Sequence, residues 1–99
     1  MLAIQRRRYD SGLHFIVSGG LDAVTASQLR QQCERVDPGE AETVLLDLAD
    51  LTTMDEHGLD VLFAASDHFG ERLVIILGPG GARQVELAHA REVLPIIEG

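Results

Sequence analysis

Three stretches of this chain carry residue types that could do chemistry. Asp55-Glu56-His57 places two carboxylates and an imidazole in consecutive positions, a set suited to acid–base work or metal ligation. Consecutive helical residues point about 100° apart, so three in a row do not converge on one ion. No second ligand cluster accompanies them. Glu86-Leu87-Ala88-His89 has the Glu-x-x-His spacing of carboxylate-bridged metal proteins, but those centres need two such motifs and further Glu residues, and this chain has one. Gly78-Pro79-Gly80-Gly81 before a helix has the look of a phosphate loop. It lacks the Lys and Ser/Thr of G-x-x-x-x-G-K-[ST] and does not fit G-x-G-x-x-G, so it reads as a turn. His14 and His68 stand alone, and no Ser/His/Asp or Cys/His grouping can be assembled. The sequence therefore points to no catalytic residue, no metal and no cofactor, and to a protein that is not an enzyme.

Composition narrows the partners. The 99 residues, 45% hydrophobic, suit a single domain over residues 1–99 with a modest aliphatic core, since aromatics are few and Trp is absent. The formal charge is −8, and all eight positive side chains are Arg. From Glu34 to Glu71 there are eleven acidic residues against one basic residue, Arg35. Such a surface repels nucleic acid and anionic membrane, which need Lys or Arg in number. Arg6-Arg7-Arg8 has no aromatic interleaving and reads as a solvated strand edge. One cysteine excludes an internal disulfide and fits a reducing compartment. No apolar run approaches about 18 residues, and the start does not read as a signal peptide, so a soluble cytoplasmic protein with no membrane insertion is expected.

The elements that must position these residues follow from patterning. Residues 3–9 read as an edge strand, Asp10-Ser11-Gly12 as a turn, and Leu13 to Ser18 as a second strand ending at Gly19-Gly20. Thr25-Ala26-Ser27-Gln28 has capping-box form, followed by the apolar stripe Ala26, Leu29, Cys33 and Val36. Cys33 is thereby a core thiol, not a nucleophile. Asp37-Pro38-Gly39 stops that helix. Thr43 to Leu48 is a short buried strand, and Ala49 to Met54 a polar turn. Asp55 then stands at the N-cap of a helix reaching about Phe69, with Leu59, Leu62, Phe63 and Ser66 facing inward and Gly70 capping its end. Arg72 to Leu77 is a second continuous apolar strand, Gly78–Gly81 a loop, and Ala82 to Val93 a last helix, with Val85, Ala88, His89 and Glu92 along successive turns. Pro95 ends it, and Ile96-Ile97 packs as a tail. The alternation predicts right-handed crossovers and an α/β fold. It should be a small sandwich of about four strands in a mixed, largely parallel sheet with three or more helices.

Two motifs carry a family resemblance. Val17-Ser18-Gly19-Gly20-Leu21-Asp22-Ala23-Val24-Thr25-Ala26-Ser27-Gln28-Leu29-Arg30 resembles the G-E-L-D-x-x-T-A-x-x-L region of STAS domains, the bacterial anti-sigma-factor antagonists. Leu45-Leu46-Asp47-Leu48, followed by Thr53-Met54-Asp55-Glu56-His57-Gly58-Leu59, resembles that family's L-D-L … x-x-D-S-S-G-L signature. Arg72 to Leu77, a helix and Leu94-Pro95-Ile96 are similar to its ending. The resemblance implies a non-enzymatic switch that docks on an anti-sigma factor doubling as a serine kinase, and so controls release of a sigma factor. It also implies a phospho-acceptor at the second Ser of D-S-S-G-L, where added charge blocks docking. Here Glu56 and His57 replace both serines, and Gly20 replaces the usual Glu. His57 occupies the acceptor position, so serine-phosphorylation control is expected to be lost. Glu56 is read equally as a partial charge mimic or as ordinary first-turn helix chemistry worth about 0.3–1 kcal/mol. His57, beside the positive helix end, is expected to be neutral and a contact residue. Thr52, Thr53 and Ser66 remain alternative hydroxyls, with Ser66 expected to face the core. The partner surface implied comprises Asp22, Thr25, Thr53, Met54, Asp55, Glu56, His57, Gly58, Asp60 and Val61. Other expectations stay open. They are a homodimer, a STAS subunit of a stressosome-like or lipid or anion transporter assembly, and a small nucleotide-binding regulatory domain using the Gly78–Gly81 loop.

Overall fold

The computed structural model describes residues 1–98. Strand β1 (Leu2–Tyr9) and strand β2 (Gly12–Leu21) form an antiparallel hairpin in which Tyr9 faces Gly12 across two residues. Asp10 supplies the left-handed backbone (φ 47°) that this tight reversal needs. Helix α1 (Ala26–Glu34), strand β3 (Thr43–Met54), helix α2 (Glu56–Phe69), strand β4 (Leu73–Leu77), helix α3 (Pro79–Leu87) and strand β5 (Ile96–Glu98) follow. Short 3-10 turns precede β3, link α2 to β4, and follow α3. The strands lie in the order β1-β2-β3-β4-β5, antiparallel at the first pair and parallel at the other three.

The mixed, largely parallel sheet with three helices is as the sequence predicts, but it has five strands rather than four. The tail residues Ile96 and Ile97 pair with Ile75 and Ile76 and close the second edge. Three further elements have different boundaries. Strand β2 runs through Gly19-Gly20, where Gly19 adopts φ 98° with its Cα pressed against the Met1 carbonyl, so the glycines carry the strand onward. Strand β3 runs six residues past Leu48, because Gly20 and Leu21 pair with Thr53 and Met54. The expected polar turn is thus strand. Helix α3 starts inside the glycine segment and stops at Leu87. His89 then turns left-handed (φ 53°), which breaks the long helix expected over 82–93 and leaves Ala88 and His89 exposed.

Each crossover advances one strand in the same direction, so right-handed connections put all three helices on one face. Burial agrees. Leu13, Phe15 and Val17, with Val44, Leu46 and Leu48, and Leu73, Ile75 and Leu77, are sealed beneath the helices. The alternate residues His14, Ile16, Ser18, Leu45, Asp47, Ala49, Val74 and Ile76 are half-buried. Leu29 and Cys33 of α1, and Leu59, Leu62, Ala65 and Phe69 of α2, complete the core. The Cys33 thiol is pushed up to about 12 by burial, reinforced by the Glu34 carboxylate, which fits a packing role. Ser66 is half-buried, and Phe63, expected inside, is exposed. No helix among the described residues is long and apolar enough to cross a membrane.

Candidate functional site

The start of α2 is held by its own first residue and by the end of β2. Asp55 has extended backbone, and its Oδ1 accepts from the His57 N–H at 2.8 Å and the Gly58 N–H at 3.2 Å. That satisfies two of the four donors a helix N-terminus leaves open. The Asp55 N–H in turn donates to the Leu21 carbonyl at 3.1 Å, fastening the cap to the sheet. Gly58 sits against Leu21 and Met54, and a methyl group at its Cα would lie 2.5 Å from Met54 Cγ. The turn is consequently rigid. His57 Nδ1 lies 3.5 Å from the second Asp55 oxygen, with both side chains about half exposed.

The neighbouring loop is closed by a second local network. Asp22 Oδ1 accepts from the Val24 N–H at 2.9 Å and the Thr25 N–H at 3.0 Å. Thr25 Oγ1 donates to the Gly20 carbonyl at 2.7 Å and accepts from the Asp22 N–H at 2.9 Å. This corrects the capping box expected at Thr25 and Gln28. The hydroxyl is spent on the loop and makes no bond to the helix it precedes. A capping box does form, at Asp37 and Glu40 around the turn Pro38–Glu40.

Both aspartates titrate low. At Asp22 the bonds from the Thr25 and Val24 N–H groups hold the carboxyl below its usual range. At Asp55 desolvation pulls upward, but the Gly58 and His57 N–H donors together outweigh it. A group depressed in the folded state adds stability above its unfolded value, 3.8, and loses it as pH falls through the folded value. The thermal midpoint should therefore hold steady from about pH 7 to 5 and fall below about pH 4. Asp55→Asn should show a shallower acid fall when both proteins are followed by circular dichroism.

The implied partner residues separate into an exposed and a buried set. Asp22, Thr53, Glu56, His57 and Asp60 are exposed and Asp55 is half-buried. Thr25, Met54, Gly58 and Val61 are buried, so their side chains support the surface from beneath. Residues 22–25 lie beside the start of α2 through the Leu21–Asp55 bond, which brings the two motifs together. Sequence reasoning missed the extension of this surface down α2. At 100° per residue, Glu56, Asp60, Phe63 and Asp67 fall within an arc of about 60°. All four are exposed, and the three carboxylates form no ion pair. The signal was available as a helical stripe, but Phe63 was assigned inward from its spacing to Leu59.

The other chemical candidates are not assembled. Glu86 lies in the last turn of α3 while His89 lies beyond the helix in left-handed backbone, so they share no helical face. His68 Nε2 lies 2.7 Å from the Val36 carbonyl and ties α2 to the end of α1. Gly78 and Gly80 press their Cα atoms onto the Ala49 and Leu51 carbonyls of β3, so these glycines allow close packing and enclose no phosphate cradle. Among the described residues, no three His, Cys, Asp or Glu side chains converge for a metal.

An anti-sigma factor antagonist from Mycobacterium paratuberculosis has a similar structure, with TM-score 0.86 and 23% identity, over 97% of this chain and 85% of that one. The anti-sigma factor antagonist SpoIIAA in its unphosphorylated form aligns with TM-score 0.75 and 13% identity, over 98% of this chain and 88% of that one. No curated protein matches the sequence significantly. The STAS domain model matches residues 3–93, nearly the whole described fold, and the chain belongs to the STAS domain family.

Proposed function

We propose that this STAS domain is a non-enzymatic antagonist that docks on an anti-sigma factor of the serine-kinase type through the first turns of α2 and the adjoining loop. The observation that carries the reading is the pre-set turn itself. Asp55 and Asp22 spend their carboxylates on backbone donors, while Glu56, His57 and Asp60 project from a rigid base with no ion-pair partner for Glu56 or Asp60. A preorganised surface of this kind loses little entropy on binding. The likeness to two structures described as anti-sigma factor antagonists supports the choice of partner.

The regulation differs from a serine switch. His57 occupies the position that resembles the family's acceptor, and Glu56 beside it carries permanent charge. Docking is then set by partner abundance or another input. The test mixes the protein with an anti-sigma kinase encoded in the same genome, first without and then with ATP. The expected result is a complex that persists with ATP, and no phosphate on the protein by intact mass. Stoichiometric labelling at Thr52, Thr53 or Ser66 would overturn the loss of phosphorylation control. Absence of any complex, with recovery of a transporter ATPase in a pull-down, would move the domain to a transporter assembly.

A further inference from the structure

The first turns of α2 and α3 pack against the same side chain. Gly58 is the third residue of α2, and Gly81 is the third residue of α3. A methyl group on Gly58 would lie 2.5 Å from Met54 Cγ. One on Gly81 would lie 3.3 Å from Met54 Cε and 3.6 Å from Met54 Sδ. Both glycines are buried, and Met54 is only 8% exposed. The thioether therefore runs between the two helix starts, its root against α2 and its tip against α3. Each end has a second neighbour, Leu21 at Gly58 and Leu77 at Gly81, and Met54 is common to both. The start of α3 is seated on β3 by backbone, since Gly78 and Gly80 press onto the Ala49 and Leu51 carbonyls. The Gly81 N–H closes that turn by donating to the Gly78 carbonyl at 3.3 Å. Added volume at Gly81 must then be taken up by the Leu77 and Met54 side chains. Leu77 is sealed in β4 with no exposed surface, whereas methionine is unbranched and flexible, so Met54 yields first. Its displacement runs toward Gly58 and toward Asp55, the next residue in the chain, which caps α2.

We infer that Met54 is a positioning residue that couples the first turn of α3 to the first turn of α2, so that packing at Gly81 sets where Glu56 and His57 stand. A close-packed interior passes a displacement on instead of absorbing it. Coupling carried by packed side chains changes binding at a distant surface by about 2- to 30-fold. The coupling belongs to the free chain, while its consequence for docking rests on the function proposed above. It gives α3, which carries none of the expected partner residues, a part in shaping the surface that docks.

Amide NMR on the whole labelled chain, with titration of the anti-sigma kinase, tests this. Gly81→Ala should move the Glu56, His57 and Gly58 signals and weaken docking by about 2- to 30-fold. Arg83→Ala, two residues further along α3 on an exposed side chain, should do neither. The decisive comparison repeats Gly81→Ala in a Met54→Leu background. Leucine ends one atom short of the methionine Cε, and this exchange is well tolerated in cores. There Gly81→Ala should leave the α2 signals where Met54→Leu alone puts them. A general loss of stability would persist in both backgrounds, so the double-mutant cycle separates it from coupling. Should Gly81→Ala unfold the chain, Met54→Leu decides alone, by moving the Gly58 and Gly81 signals together and weakening docking. Still α2 signals in Gly81→Ala overturn the inference. So does a shift of equal size in the Met54→Leu background, which would route the effect through Leu77, or docking that is unchanged where the wild type binds. Signals that move as expected while the wild type forms no complex uphold the coupling and defeat the docking function instead.

Discussion

Glu56→Arg combined with Asp60→Arg is expected to weaken binding to the anti-sigma factor proposed as partner by about 10- to 100-fold, roughly 1.4–2.8 kcal/mol. The two carboxylates stand one turn apart on the exposed face of α2, without cationic partners, and Asp67 extends the same stripe. Like charges at i and i+4 cost an isolated helix about 0.2–0.5 kcal/mol. Reversal to a pair of Arg leaves that repulsion of similar size, but it removes the first-turn carboxylate of Glu56 and sets a cation at the positive end of α2, so a destabilisation of about 1 kcal/mol is expected alongside the opposed field of the partner. The two proteins should also differ in salt response. The wild-type association rate should fall as ionic strength rises from about 0.05 to 0.5 M, and the variant rate should change little. Phe63→Ala is the companion, since an exposed aromatic within an acidic stripe is an anchor of the kind that dominates interfaces. Stopped-flow association with circular dichroism controls separates these effects from unfolding. Unchanged binding in the double variant would move the docking surface away from α2.

The second large effect is predicted at Gly58. A Cβ there would lie 2.5 Å from Met54 Cγ and 3.0 Å from both Leu21 Cγ and Cδ2, well inside ordinary contact. Replacement by Ala gains about 1 kcal/mol of helix propensity but forces the first turn of α2 off the end of β2. Overpacking of this kind costs about 1–3 kcal/mol, and Val, larger and β-branched, costs more. Gly58→Val is therefore expected to lower the thermal midpoint by about 10 °C or more for a domain of this size. It should also disturb docking, because Glu56 and His57 ride on the turn that moves. Differential scanning calorimetry and the binding assay together check it. A midpoint within about 2 °C of wild type would mean that Met54 and Leu21 yield without moving the helix.

The residues that make these predictions were legible to different degrees in the chain. The Asp55 cap, the Cys33 stripe and the strand Leu73–Leu77 depend on neighbours within a few positions, so local patterning identified them. The same holds for the acidic, polar character of the turn after Asp55. Tertiary pairing decided the rest. Ile96–Glu98 is too short to signal a strand and becomes one only because the free edge of β4 hydrogen-bonds to it. Asp50 to Thr53 reads as a turn by composition but is drawn into β3 by Gly20 and Leu21 across the ladder. Thr25 has the right spacing for a cap, yet a carbonyl five residues back competes for its hydroxyl and wins. Phe63 has helical spacing to the core residue Leu59, and only the packing of α2 on the sheet rotates it outward. The start of α2 was thus set by local chemistry, since a carboxylate beside free N–H groups needs no distant partner. Which side chains surround that turn, and which face of the sheet stays open, depended on contacts between residues far apart in the chain, where local propensity carries no information.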